Sequence, residues 1–113
     1  MTIKLLGIAG SMRSNSYSFK ALDLALKTSK NNYHAGINLF DLRKNKLPIY
    51  EPNLDLDKIP LSEKESLEMA NKLVRWADAI ILTSPDYHGS MSGVLKNFLD
   101  FFWKNIWIYL CIT

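Results

Sequence analysis

Two apolar runs constrain this chain more than any other feature: "IKLLGIA" at residues 3–9 and "DAIILTS" at residues 78–84. Both are near-continuous rather than alternating, the pattern of strands in a parallel sheet covered on both faces. Parallel neighbours need crossover connections, usually helices, and the intervening sequence contains them. Phe19, Leu22, Ala25 and Leu26 recur at helical spacing and predict a helix over residues 16–29, with Asn15 or Ser16 near its cap. "NNYHAG" reads as a turn and "INLFDL", residues 37–42, as a second strand. Ser62 and Glu65 have capping-box spacing and open a second helix with Leu67, Ala70, Val74 and Ala77 on one face. Met91, Leu95, Phe98 and Phe102 share the inner face of a third helix. The tail from Ile106 to Ile112 has strand composition and supplies a candidate fourth strand. This alternation predicts an α/β domain, a parallel sheet with helices on both faces. Residues 43–61, with Pro48, Pro52 and Pro60, fit no element. A connection of that length is either functional or a sign against the assignment.

The totals narrow the class. A chain of 113 residues is read as one domain over residues 1–113, large enough for a single core. Its 48% apolar and 22% charged residues match a globular chain that folds. The net charge of +3 is spread from Lys4 to Lys104 with acids between most of the cations, so no clustered basic stripe points to nucleic acid. One cysteine, Cys111, excludes an internal disulfide and is compatible with a reducing cytoplasm. Lys4 interrupts the first apolar run, no basic leader precedes a longer one, and no run approaches about 18 apolar residues, so neither a signal peptide nor a membrane span is expected. His34, His88 and Cys111 show no ligand spacing, and no metal site is expected.

In parallel sheets ligands bind beyond the carboxyl ends of the strands, near the point where strand order reverses. Two unusual loops, residues 10–17 and 84–92, begin at such ends. The first, within "GIAGSMRSNSYS", leads into a helix whose free N–H groups and dipole favour an anion. Ser11, Ser16 and Ser18 add hydroxyls, Arg13 adds a planar cation suited to phosphate, and Gly10 lets the backbone turn and come close to a ligand. No carboxylate lies between residues 7 and 22. The spacing G-x-x-G-S lacks the dinucleotide and P-loop patterns, so a terminal phosphate monoester fits better than NAD or ATP. The plainer reading, serines capping a helix beside a solvated Arg13, stays open on this loop alone. The second loop, "SPDYHGSMSG", is either a turn whose Ser90 or Ser92 caps the next helix or a rigid border for a flat heteroaromatic ring beside Tyr87. A phosphate at one end and a planar ring at the other describe FMN.

"GSMRSNS" followed by "SPDYHGSMSGVLKNFLDFF" resembles the NADPH-dependent FMN reductase family of flavodoxin-like proteins. That family pairs a G-S-x-R-x-x-S phosphate loop with a P-E-Y-H/N-G-S loop and an L-K-N-x-x-D helix. The likeness covers residues 1 to about 103, with Asp86 where Glu is more usual. It implies a three-layer sandwich with sheet order 2-1-3-4, the fifth strand of the fold being missing, so the chain is read as incomplete at its C-terminus. It assigns Ser11, Arg13 and Ser16 to the FMN phosphate, with Asn15 and Tyr17 lining that loop. Pro85, Asp86, Tyr87, His88 and Gly89 fall to the isoalloxazine side, largely through backbone groups, with Ser90 beside them. Lys96, Asn97 and Asp100 fall to structural or interfacial roles.

The activity so implied is an FMN-dependent NAD(P)H oxidoreductase, passing hydride from NADPH or NADH through bound FMN to flavin, quinone, azo or similar small-molecule acceptors. No catalytic acid or base is named, because the cofactor carries the chemistry. The resemblance further implies a homodimer. Two alternatives are a flavin- or phosphate-binding module without turnover, and an inactive fragment that folds poorly or only within an oligomer. Residues 106–110, on a fourth strand that would be a new sheet edge, are expected to expose apolar surface that invites self-association or aggregation, and Trp103 and Trp107 to be core or interface aromatics.

Overall fold

A computed structural model describes residues 2–102 and the backbone of residues 109–112. The elements alternate as β1 (Lys4–Ala9), α1 (Tyr17–Tyr33), β2 (Gly36–Asp41), α2 (Leu61–Trp76), β3 (Ala79–Thr83), α3 (Gly93–Phe102) and β4 (Tyr109–Ile112). All four strands are parallel, in the order β2-β1-β3-β4. The expected sheet order is therefore the observed one. Trp103, Ile106 and Trp107 lie outside the described residues, as do the side chains of 109–112.

Handedness places the helices. The connection from β1 to β2 runs one way across the sheet, whereas those from β2 to β3 and from β3 to β4 run the other way. Right-handed crossovers then put α1 on one face and α2 with α3 on the opposite face. The cores follow this division with the two-residue period of a strand. Leu6, Ile8, Phe40, Ile80 and Leu82 pack with Ala70, Val74, Leu95, Phe98 and Phe102 on one side. Ala9 and Ile81 pack with Leu22 and Leu26 of α1 on the other. The point of reversal lies between β1 and β3, whose register pairs Ala9 with Thr83. Both strands thus end at one level, and the chain leaves them through the two polar loops.

Several local boundaries differ from expectation. Helix α1 continues past residue 29 through residues 31–33, taken above as turn, and stops where His34 adopts a left-handed conformation at φ 56°. His34 N–H then bonds Lys30 O, the 5→1 bond of an αL cap, and Ala35 N–H bonds Ser29 O, so that two of the last carbonyls are satisfied. Ser62 does not cap α2. The helix begins at Leu61 behind Pro60, whose carbonyl accepts from the amides of Glu63 and Lys64, while Ser62 O receives Ser66 Oγ inside the first turn. Met91 precedes α3 and packs on its core from the loop.

The proline-rich connection is anchored rather than loose. It contains a short 3-10 turn, Leu56–Lys58. Asn97 of α3 accepts from Tyr50 N–H at 2.8 Å through Oδ1 and donates to Pro48 O at 2.9 Å through Nδ2. Tyr50 also meets the Phe101 ring edge-on at 5.2 Å. Lys96 and Asp100 form an exposed i,i+4 pair on the outer side of the same helix.

Candidate functional site

The first loop is built around two buried hydroxyls. Ser16 is the N-cap of α1, extended at φ −72° and ψ 154°, and its Oγ accepts from Phe19 N–H. Ser11 Oγ accepts from Arg13 N–H at 3.2 Å. Each hydroxyl is held in place by an amide, and Ser16 Oγ also shares a hydrogen bond with Ser18 Oγ at 3.3 Å. Asn15, left-handed at φ 59°, turns the chain into the helix. Among the described residues, the amides of Tyr17 and Ser18 in the first turn have no protein acceptor. No acidic residue lies in that turn, so the positive end of the helix dipole is not neutralised.

Gly10 has a packing role that the sequence did not show. A Cβ there would sit 2.7 Å from Thr83 O and 3.1 Å from Leu95 Cβ. The missing side chain is needed for contact with β3 and α3, where Gly10 N–H bonds Thr83 O at 2.8 Å. The two loops are further joined by Ser92, which is almost fully buried. Its Oγ donates to Gly10 O and accepts from Leu95 N–H as the cap of α3, while its own N–H donates to Ser84 Oγ. Ser84 Oγ in turn donates to Pro85 O.

The second loop closes as a tight hairpin. Tyr87 N–H bonds Ser90 O, and Ser90 N–H bonds Tyr87 O. Between them His88 and Gly89 have φ of 53° and 75°, the signature of a type I′ turn. Gly89 suits that position because a left-handed backbone carries no Cβ penalty there. Residues 86–90 are exposed on this turn.

Between the loops lies a cleft of about 600 Å³, within the usual range for small-molecule sites. Ser11, Arg13, Asn15, Ser16 and Tyr17 line it from the first loop, and Pro85 and Tyr87 from the second. Asp86, His88, Gly89 and Ser90 are not part of this lining; they form the turn that carries Tyr87. Sequence reasoning missed Ser84 and Lys20. Lys20 lies one helical turn beyond Ser16, with its Nζ 5.1 Å from the centroid of the Tyr17 ring. That i,i+4 spacing was its available signal, and Ser84 had none beyond ending the strand. The cleft wall thus contains two cations, several hydroxyls, free amides and exposed aromatic rings, and no carboxylate. This donor set fits a phosphate monoester attached to a planar ring.

The model of the NADPH-dependent FMN reductase family matches residues 3–108. The chain belongs to this family. An NAD(P)H-dependent FMN reductase of Pseudomonas aeruginosa is 37% identical over 98 residues, covering 87% of this chain and 49% of the relative. An FMN-dependent NADPH-azoreductase of Staphylococcus saprophyticus is 35% identical over 99 residues, covering 87% and 51%. Among solved structures, an NADH:FMN oxidoreductase in its apo form superposes with a TM-score of 0.66 at 27% identity, covering 88% of this chain and 49% of the other. This FMN reductase family member therefore spans about half the length of the relatives it matches. Strands β1 to β3 and both site loops fall within the matched residues.

Proposed function

We propose that the cleft binds FMN and that the protein acts as an FMN-dependent NAD(P)H oxidoreductase on small-molecule acceptors such as flavins, quinones and azo compounds. The carrying observation is that a carboxylate-free, hydroxyl-rich anion loop and a rigid turn bearing Tyr87 face one cleft. Ser11, Ser16, Arg13 and the first-turn amides of α1 would hold the phosphate, with Lys20 adding charge to the same wall and Asn15 and Tyr17 lining the loop. Pro85, Asp86, Tyr87, His88, Gly89 and Ser90 would border the ring. Bound FMN supplies the redox chemistry, receiving hydride from NADPH or NADH and returning electrons to the acceptor. The residues' own contribution is orientation: the Ser92 clamp and the type I′ turn hold the two ends of the site at a fixed separation. Family membership favours a homodimer, and the single cysteine is compatible with a cytoplasmic setting. Among the described residues no helix is long and apolar enough to cross a membrane.

The test is an FMN titration followed by flavin fluorescence, with riboflavin in parallel, then NADPH oxidation with a quinone or azo acceptor. Saturable binding that favours FMN, followed by turnover, is the expected result. Binding without turnover would instead support a flavin-binding module. A folded chain that binds neither flavin would refute the assignment.

A further inference from the structure

We propose that a second pocket, at the carboxyl end of β2, receives the phosphorylated ribose of the hydride donor and that Arg43 selects NADPH over NADH. The inference rests on the oxidoreductase reading above and extends it to donor choice.

The pocket, about 190 Å³, shares Ser11, Arg13 and Asn15 with the main cleft and is completed by Phe19, Asp41, Arg43 and Lys44. The two spaces therefore meet at the phosphate loop, one extending toward β3 and the other toward β2. Arg13, Arg43 and Lys44 bring three cations to this small volume. None of them makes an ion pair among the described residues, whose pairs are Asp23 with Lys27, Asp55 with Lys58 and Lys96 with Asp100. Unpaired cations gathered at a concave site favour an anion, and an arginine fork favours phosphate.

Asp41 refines the ligand class. It is 7% exposed, its Oδ1 accepts from Arg43 N–H at 2.9 Å, and no donor reaches Oδ2 among the described residues. That residue lines the pocket, where its second oxygen can accept from a ligand's donor. Inorganic phosphate presents mainly acceptors and would not use that oxygen, whereas a neutral sugar would leave Arg43 and Lys44 without a counter-charge. A ribose phosphate answers both, because a hydroxyl adjoins the phosphate on the same ring. The adenosine ribose of NADPH has this arrangement, and that of NADH has hydroxyls alone. In doubly wound sheets an acid near the strand end reads a ribose hydroxyl and an arginine reads a 2′-phosphate. Here both stand in one turn, and Asp41 orders the backbone of Arg43 directly.

The experiment compares binding of 2′-phospho-ADP-ribose and ADP-ribose by calorimetry, using wild type, Arg43→Ala and Arg43→Lys, each first titrated with FMN. Arg43 is exposed and its amide survives substitution, so the variants retain the bond to Asp41. The expected wild-type preference for the phosphorylated probe is about ten-fold or more, as for loss of a charge-assisted hydrogen bond. Arg43→Ala should abolish that preference while leaving ADP-ribose affinity within about two-fold, and Arg43→Lys should restore part of it. Equal wild-type affinity for the two probes, or a parallel loss of both in Arg43→Ala, would overturn the inference. FMN binding is the independent readout: normal FMN affinity with no probe selectivity refutes the pocket alone. Absent FMN binding refutes the flavin reading, and the same probe comparison on the flavin-free chain then decides the pocket.

Discussion

Substitution of Ser92 separates a local role from a long-range one. As a plain N-cap of α3, its loss to alanine costs about 1 kcal/mol, and its loss to glycine only a few tenths. The structure adds a second role, because the same hydroxyl donates to the buried carbonyl of Gly10, 82 residues away. Removing that donor leaves a buried acceptor without its partner, worth about 1–3 kcal/mol. Ser92→Ala should therefore lose about 2–4 kcal/mol, and Ser92→Gly about 1–3 kcal/mol. One kcal/mol corresponds to roughly 4–8 °C in melting temperature for a domain near this size. Thermal and urea melts of the two variants read the difference, and the FMN titration should weaken in parallel because the clamp sets the separation of the loops. A Ser92→Gly variant that melts within about 2 °C of wild type would show that the serine is only a cap.

Four further outcomes follow from named residues. Arg13→Ala should weaken FMN by roughly ten- to a hundred-fold, as for a charge-assisted bond, and leave riboflavin nearly unchanged; equal losses in the paired titrations would remove the phosphate assignment. Gly89→Ala meets open space but must hold φ near 75°, so it should cost about 1–2 kcal/mol in a denaturant melt. His88→Asn should cost almost nothing in the same melt, since asparagine accepts the left-handed region. Asn97→Ala removes both side-chain bonds to the loop at Pro48 and Tyr50. Limited proteolysis should then cut residues 48–58 several-fold faster, and an unchanged rate would mean that the loop is held by other contacts.

The Asn97 result would also give the motif helix a physical reading. Its polar residues divide by direction: Lys96 and Asp100 pair with each other on the surface, while Asn97 serves as a peg for the connection between β2 and α2. That connection looked structureless because its prolines break periodicity and its anchors belong to another helix. The sequence pattern there is a record of tertiary contact rather than of chemistry.

What could be read from the chain alone was whatever depends on neighbours within a turn or a strand. Continuous apolar runs announced β1 and β3, Leu22 and Leu26 announced the buried stripe of α1, and the residues ahead of apolar periods announced caps at Asn15 or Ser16 and at Ser90 or Ser92, of which the structure uses Ser16 and Ser92. Even so, local rules misplaced the start of α2, because Pro60 satisfies the first helical amides and Ser62 falls inside the turn. Residues 31–33 were misread because turn-favouring asparagines were overridden by the left-handed stop at His34. Only the tertiary structure could show that Gly10 is glycine for the sake of Thr83 and Leu95, or that Ser92 caps one helix while clamping another loop. It likewise brought Lys20 to the cleft and Arg13, Asp41 and Arg43 to one pocket. Sequence periodicity records how a segment faces the core. The contacts that make the site join residues whose separation along the chain is set by the crossover of a parallel sheet, and no local pattern encodes that distance.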